Sequence, residues 1–187
     1  MKTLIIIPSR LSATRLPGKP LLKINGLSII SHTFKKAIDA NIGDVYVATE
    51  DQEIVDDVIK NGGQAIITGK NHKTGTDRIY EAFNKIGKSD IELVMNLQGD
   101  EPLINLDDIR NLHKQMIISK SKLGTSASNI SDKSLYSDPN VVKVYTNEIL
   151  EISNFPEALN FVRDLKNVKG NIYKHIGIYC YQLETLK

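Results

Sequence analysis

The stretch Ile5-Ile6-Ile7-Pro8-Ser9-Arg10-Leu11-Ser12-Ala13-Thr14-Arg15-Leu16-Pro17-Gly18-Lys19 decides the fold. Leu4 to Ile7 is a short unbroken apolar run, the pattern of a strand buried on both faces of a parallel sheet. Pro8 has no amide hydrogen to give a ladder, so the strand is expected to stop there. The polar loop that follows carries Arg10, Arg15 and Lys19, with Gly18 freeing the backbone between two prolines. Three cations on one loop at the carboxyl end of a first strand read as a phosphate clamp, in the crevice where open α/β sheets bind ligands. Neither GxxxxGK[ST] nor GxGxxG is present, so this is not a Walker or dinucleotide loop. An ordinary solvated connection is the weaker alternative.

Working outward, strands alternate with amphipathic helical stretches. Ile29, Ile30, Phe34, Ala37 and Ile38 repeat at helical spacing up to Asn41–Gly43. Val45 to Thr49 reads as a second strand. Ile54, Val55, Val58 and Ile59 mark a helix closed by Asn61-Gly62-Gly63. Ala65 to Thr68 is a third strand, followed by a helical face of Ile79, Tyr80, Phe83 and Ile86. Ile91 to Leu97 is a fourth, followed by a helix carrying Ile109, Leu112 and Met116. This order predicts an α/β fold, a mostly parallel sheet with helices on both faces. Beyond Gly124 the period shortens to two, and Thr125–Ile130, Val141–Thr146 and Ile172–Tyr181 read as antiparallel strands. A soft boundary near residue 122 separates a nucleotide-binding half, 1–122, from a strand-rich half, 123–187, within one continuous domain.

Composition sets outer bounds. The 187 residues can bury one good core. With 24 Lys and Arg against 22 Asp and Glu, there is no strong basic excess of the kind that nucleic-acid or membrane-surface proteins concentrate on one face. A single cysteine, Cys180, rules out an internal disulfide and fits a reducing compartment. It sits in an aromatic, strand-like run, where a packed thiol is expected rather than a nucleophile. The leading apolar run is too short for a signal peptide, and no stretch has the length of a membrane span. A cytoplasmic protein is expected.

Four further motifs carry chemistry. Gln98-Gly99-Asp100-Glu101-Pro102 follows the fourth strand, placing its carboxylates at the same sheet edge as the clamp. A strand-end Asp100 suits Mg²⁺, since hard cations take one or two carboxylates plus phosphate oxygens. His72-Lys73-Thr74-Gly75-Thr76-Asp77-Arg78 opens a helix whose free N–H groups, hydroxyls and glycine suit a base edge or a phosphate. The helix dipole explains Asp77 equally well. In Asp138-Pro139-Asn140-Val141-Val142-Lys143-Val144, Lys143 is either a ligand contact or a solvent-facing residue. In His175-Ile176-Gly177-Ile178-Tyr179, alternation puts His175, Gly177 and Tyr179 on one face, with a hollow at Gly177. That is a pocket wall for a polyhydroxylated acid, although His175 alone reads better as a core histidine.

Taken in order and spacing, IIIPSRLSATRLPGKPL, HKTGTDR, NLQGDEP, DPNVVKV and HIGIY resemble the 3-deoxy-manno-octulosonate (KDO) cytidylyltransferases. The likeness runs from Thr3 to at least Tyr181. It implies a Rossmann-like nucleotide-diphospho-sugar transferase fold, Mg²⁺ as cofactor and a homodimer. The implied reaction transfers CMP from CTP to KDO for lipopolysaccharide biosynthesis.

By resemblance, Arg10, Arg15 and Lys19 would hold the CTP phosphates and Asp100 would ligate Mg²⁺. Pro8 and Ser9, with Thr74, Gly75 and Arg78, would surround the cytosine. Gln98 would touch KDO, His175 and Tyr179 would line the sugar site, and Arg163 would pair with the KDO carboxylate. Asp164-Leu165-Lys166 runs quickly to Gly170, where the family has a longer loop. The resemblance also implies a C-terminal segment beyond Lys187, carrying a second metal carboxylate. Two alternatives stand beside it. A cytidylyltransferase for another acid sugar or a polyol phosphate would begin with a different loop from RLPGK. A catalytically incompetent nucleotide-binding fragment would follow from the lack of that carboxylate.

Overall fold

Leu4, Ile5, Ile6 and Ile7 are each fully buried in the computed structural model, which describes residues 1–12, 16–151, 154–165 and 169–186. They form β1 (Thr3–Ser9), which pairs in parallel with β4 (Asp44–Thr49) and β6 (Leu93–Asn96). Between β1 and β4 lie a small hairpin, β2 (Lys23–Ile24) with β3 (Leu27–Ser28), and α1 (Ile29–Ala40). The hairpin turns on Asn25 (φ 50°) and Gly26 (φ 82°), the two positive φ angles that a two-residue hairpin loop requires. Next come β4 (Asp44–Thr49), α2 (Gln52–Lys60), β5 (Ala65–Ile67), α3 (Gly75–Ile86), β6 (Leu93–Asn96) and α4 (Leu106–Ser119). The chain continues through β7 (Leu123–Ser128), β8 (Lys143–Thr146), β9 (Ala158–Val162), β10 (Asn171–Gln182) and a short α5 (Leu183–Leu186).

Strand β1 does not stop at Pro8, contrary to expectation, but runs through it to Ser9. The Ile6 carbonyl accepts from the Leu97 N–H at 3.3 Å, so alternate residues of β1 face β6. Pro8 is the next residue on that side, and the β1–β6 register ends at Ile6↔Asn96. Its missing hydrogen therefore forfeits no ladder bond.

The sheet order is β5-β4-β1-β6-β10-β8-β9, with β7 also paired to β10. The β5-β4-β1-β6 part is parallel; the joins made by β10 and the β8–β9 pair are antiparallel. Ile5 and Ile7 point to a layer made by Ile30 and Phe34 of α1, Ile54 and Val58 of α2, and Ile109, Leu112 and Met116 of α4. Leu4 and Ile6 point to the other layer, with Ile79, Ala82 and Phe83 of α3 and Leu186 of α5. Each buried Ile or Leu contributes roughly 1.5–3 kcal/mol, which is why four in a row fix β1 at the centre. Strand β10 carries the sheet across residue 122, pairing with β6 from the first half and with β7 and β8 from the second.

Lys143 does not face solvent. It is fully buried on β8, its ammonium donating to the carbonyls of Asp138 (2.6 Å) and Arg163 (3.0 Å). A buried ammonium is tolerable only when hydrogen-bonded, and here it ties the 138–140 turn to the end of β9.

Candidate active site

The loops after β1 and β6 and the start of α3 meet at the carboxyl edge of the parallel strands and enclose a cleft of about 340 Å³. It is lined by Pro8, Ser9, Arg10, Lys19, Pro20, His72, Lys73, Thr74, Gly75, Arg78, Gln98, Gly99 and Asp100. Eight of the residues proposed from sequence converge here in addition to Gln98: Pro8, Ser9, Arg10, Lys19, Thr74, Gly75, Arg78 and Asp100. Arg15 lies outside the described residues.

The clamp loop is anchored at its root, where the Leu11 N–H donates to Asp51 Oδ2 at 2.7 Å. Gly18 takes φ 70° and starts a short 3-10 turn that turns Lys19 back toward the cleft. Lys19 Nζ lies 2.6 Å from Asp100 Oδ2. Arg10 and Lys73 are exposed and have no ion-pair partner among the described residues.

Arg78 is different. It is buried; Nη2 donates to Glu50 Oε2 at 2.5 Å, and Nη1 donates to Thr68 Oγ1 at 2.6 Å and to the Gly69 carbonyl at 3.3 Å. Glu50 follows β4 at the same sheet edge, so a strand-end carboxylate neutralises this cation. The α3 start is a capping box: Asp77 N–H donates to Thr74 Oγ1 (3.1 Å) and Thr74 N–H to Asp77 Oδ2 (3.0 Å). Asp77 thus belongs to the helix cap rather than to a ligand. A side chain at Gly75 would rest 3.5 Å from the Pro8 ring, so α3 begins directly beside the end of β1.

His72 hydrogen-bonds through Nε2 to Glu81, which also accepts from the Gly69 N–H at 3.0 Å and pairs with Lys85 at 2.7 Å. These contacts, led by Lys85, hold the Glu81 carboxyl down to a pKa of about 2. Glu50 was not singled out from sequence, and His72 and Lys73 entered only as the first two residues of the HKTGTDR motif. Glu50 could have been found by the strand-end reasoning that found Asp100.

Gln98 lines the cleft, but Arg163, His175 and Tyr179 do not. Arg163 is exposed, and its Nη1 donates to the carbonyls of Pro139 (2.9 Å) and Asn140 (3.1 Å). Tyr179 lines a separate, more apolar cavity of about 530 Å³ with Thr125, Phe155, Phe161 and Tyr173. The rings of His175 and Tyr179 stand 5.4 Å apart, and His175 Nε2 is 2.8 Å from Thr125 Oγ1. Burial pushes the His175 pKa down and the Tyr179 pKa up. The hollow expected at Gly177 is filled by Gln98, whose Cγ a Cβ at that position would meet at 3.0 Å.

Two observations bear on what the cleft accepts. The Ser9 hydroxyl is buried with no hydrogen-bond partner among the described residues, and such orphans call for one. The oxygen donors of Asp100 suit a hard cation that completes its shell with phosphate oxygens, and Glu101 stands beside it. Burial, then the Asp100 charge, raises the Glu101 pKa. Among the described residues no cluster of three or more His, Cys, Asp or Glu forms a self-contained metal cage.

A family described as Cytidylyltransferase matches residues 4–186. The 3-deoxy-manno-octulosonate cytidylyltransferase of Nitrobacter hamburgensis is 39% identical over all of this chain and 72% of its own length. That of a Bradyrhizobium strain is 41% identical, over all of this chain and 76% of its own. Among solved structures, CMP:2-keto-3-deoxy-manno-octonic acid synthetase complexed with CTP aligns with a TM-score of 0.87 and 35% identity. The alignment covers all of this chain and 76% of that one.

Proposed function

We propose a reaction from a plain premise: the chain belongs to the 3-deoxy-manno-octulosonate cytidylyltransferase family. It is a nucleotidyltransferase that transfers CMP from CTP to KDO and releases pyrophosphate. The observation that carries this reading is the sorting of charge in the cleft. Arg78 is neutralised by Glu50 and buried, which suits a polar but uncharged base; Arg10 and Lys73 have no ion-pair partner among the described residues, which suits a triphosphate. Arg10, Lys19 and Lys73 take the phosphates in this reading, with Arg15 added by its place in the same loop. Pro8, Ser9, Thr74, Gly75 and Arg78 surround the cytosine.

The anomeric hydroxyl of the sugar acid attacks the α-phosphorus in line. A bond from that oxygen to phosphorus forms, the bond to the pyrophosphate oxygen breaks, and the hydroxyl proton leaves to solvent. Phosphoryl chemistry of this kind asks the protein for positioning and for charge stabilisation. Asp100 would hold Mg²⁺, which when bound neutralises charge on the phosphate oxygens. Gln98, on the side of the cleft against Gly177, contacts the acceptor in this reading.

The finer assignments follow the same reading. A homodimer is supported by β9, an edge strand that leaves Ala158, Leu159, Asn160 and Phe161 exposed. We place the product in lipopolysaccharide biosynthesis and the enzyme in the cytoplasm; no helix among the described residues is long and apolar enough to cross a membrane.

Incubation with CTP, Mg²⁺ and KDO, with pyrophosphate as readout, tests the proposal. Turnover should fall with UTP and vanish with ATP if Pro8, Ser9, Thr74, Gly75 and Arg78 frame a cytosine. Equal turnover with CTP and ATP, or with KDO and sialic acid, contradicts the reading.

A further inference from the structure

Strand β10 is irregular at one place. Its partners on β7 run His175↔Ala127, Ile176↔Ser126 and then Tyr179↔Thr125, so Gly177 and Ile178 have none there. Thr125 spans the gap, its hydroxyl 2.6 Å from the Ile178 carbonyl and 2.8 Å from His175 Nε2. A bulge bends its strand and re-aims the residues in it. Here the bulged backbone lies against Gln98. A Cβ at position 177 would stand 3.0 Å from Gln98 Cγ and 3.7 Å from both Cδ and Nε2. Gly177 is not among the glycines with positive φ, so backbone conformation does not demand it; space does.

The other side of Gln98 is closed as well. A Cβ on the next residue, Gly99, would meet the Pro8 carbonyl at 3.0 Å and Ile30 Cδ1 at 3.2 Å. The chain carrying Gln98 is therefore held between β1 and the bulge of β10.

We infer that Gly177 is a positioning residue for the transfer: its missing side chain seats the Gln98 carboxamide at the acceptor end of the cleft, and the Thr125-held bulge brings Gly177 there. Gln98 is read above as the acceptor contact, and the reaction half of this assignment rests on that reading. A contact between strand-rich half and nucleotide cleft then sets where the sugar acid lies relative to the α-phosphorus.

The test is Gly177→Ala. Misplacing Gln98 should lower kcat/KM for KDO on the order of 10- to 100-fold, while CTP affinity by calorimetry stays unchanged. The side-chain amide resonance of Gln98 should shift in the substrate-free protein. On a Gln98→Ala background the same glycine change should cost nothing more, because the two act through one contact. A loss that multiplies in the double variant, or an unmoved Gln98 amide resonance, overturns the proposal. Gln98→Ala with unaltered KDO kinetics overturns the acceptor reading, whereas the amide resonance still judges the seating. Should Gly177→Ala fail to fold, the double variant relieves the clash and should fold; its failure also counts against the proposal.

Discussion

Lys19 Nζ lies 2.6 Å from Asp100 Oδ2, so the residue proposed to grip a phosphate and the residue proposed to hold the cation are joined to each other. The pair links the loop after β1 to the loop after β6 across the cleft. Both side chains are part-exposed, 34% and 49%, so the link contributes only about 0–1 kcal/mol to folding. A triphosphate offers Lys19 a stronger partner and leaves Asp100 open to a cation.

Lys19→Met should therefore leave the melting temperature nearly unchanged but weaken CTP binding by about 1.5–3 kcal/mol, the range of charge-assisted hydrogen bonds. Asp100→Asn should bind metal-free CTP as well as the parent and lose turnover. Calorimetry with EDTA and with Mg²⁺ separates the two. Unchanged CTP affinity in Lys19→Met would remove that residue from the phosphate site.

Glu50→Ala should be far more damaging to the fold. It leaves the Arg78 guanidinium, 4% exposed, with hydrogen bonds but no counter-charge. Breaking a buried pair in this way costs about 3–5 kcal/mol. Urea unfolding measures it, and a shift no larger than that of an exposed substitution would show that water reaches the pair.

Glu81 sets a pH dependence. Its folded-state pKa of about 2, against an ordinary 4.5, means the folded protein holds this proton less tightly than the unfolded chain does. The stability it supplies is complete above about pH 4.5 and is lost as the pH falls toward 2. Glu81→Gln should thus lower the unfolding free energy from urea titration at pH 7 by on the order of 1 kcal/mol. The gap between variant and parent should close over that acidic window. A gap that persists at the acid end would point to packing instead of charge.

Cys180 is fully buried, and burial pushes its thiol up to about 12. Ellman's reagent should find no reactive thiol in the native protein and one after unfolding in guanidinium. Rapid native labelling would contradict its place between β6 and β7.

Much of this was legible residue by residue. The unbroken Leu4–Ile7 run marked a strand buried on both faces, and helical spacing marked α1 to α4. Strand-end position alone collected Arg10, Lys19 and Asp100 at one edge. Asn25-Gly26, with positive φ at both residues, is itself a local hairpin signal. β9 gave little signal, since an exposed edge strand need not alternate. The partners of Lys143 and Arg163 were hidden because both donate to backbone carbonyls, which no side-chain pattern records.

What the sequence determined by itself was the class of fold and the chemistry gathered at its carboxyl edge, because periodicity and loop composition are local properties. Only the tertiary structure decided which cation is neutralised, where β10 inserts and what fills the space at Gly177. Those outcomes depend on contacts between residues far apart in the chain: Arg78 with Glu50, β10 with β6, and Gly177 with Gln98. Burial turns such contacts into large energetic terms, and burial is not defined until the whole sheet has assembled.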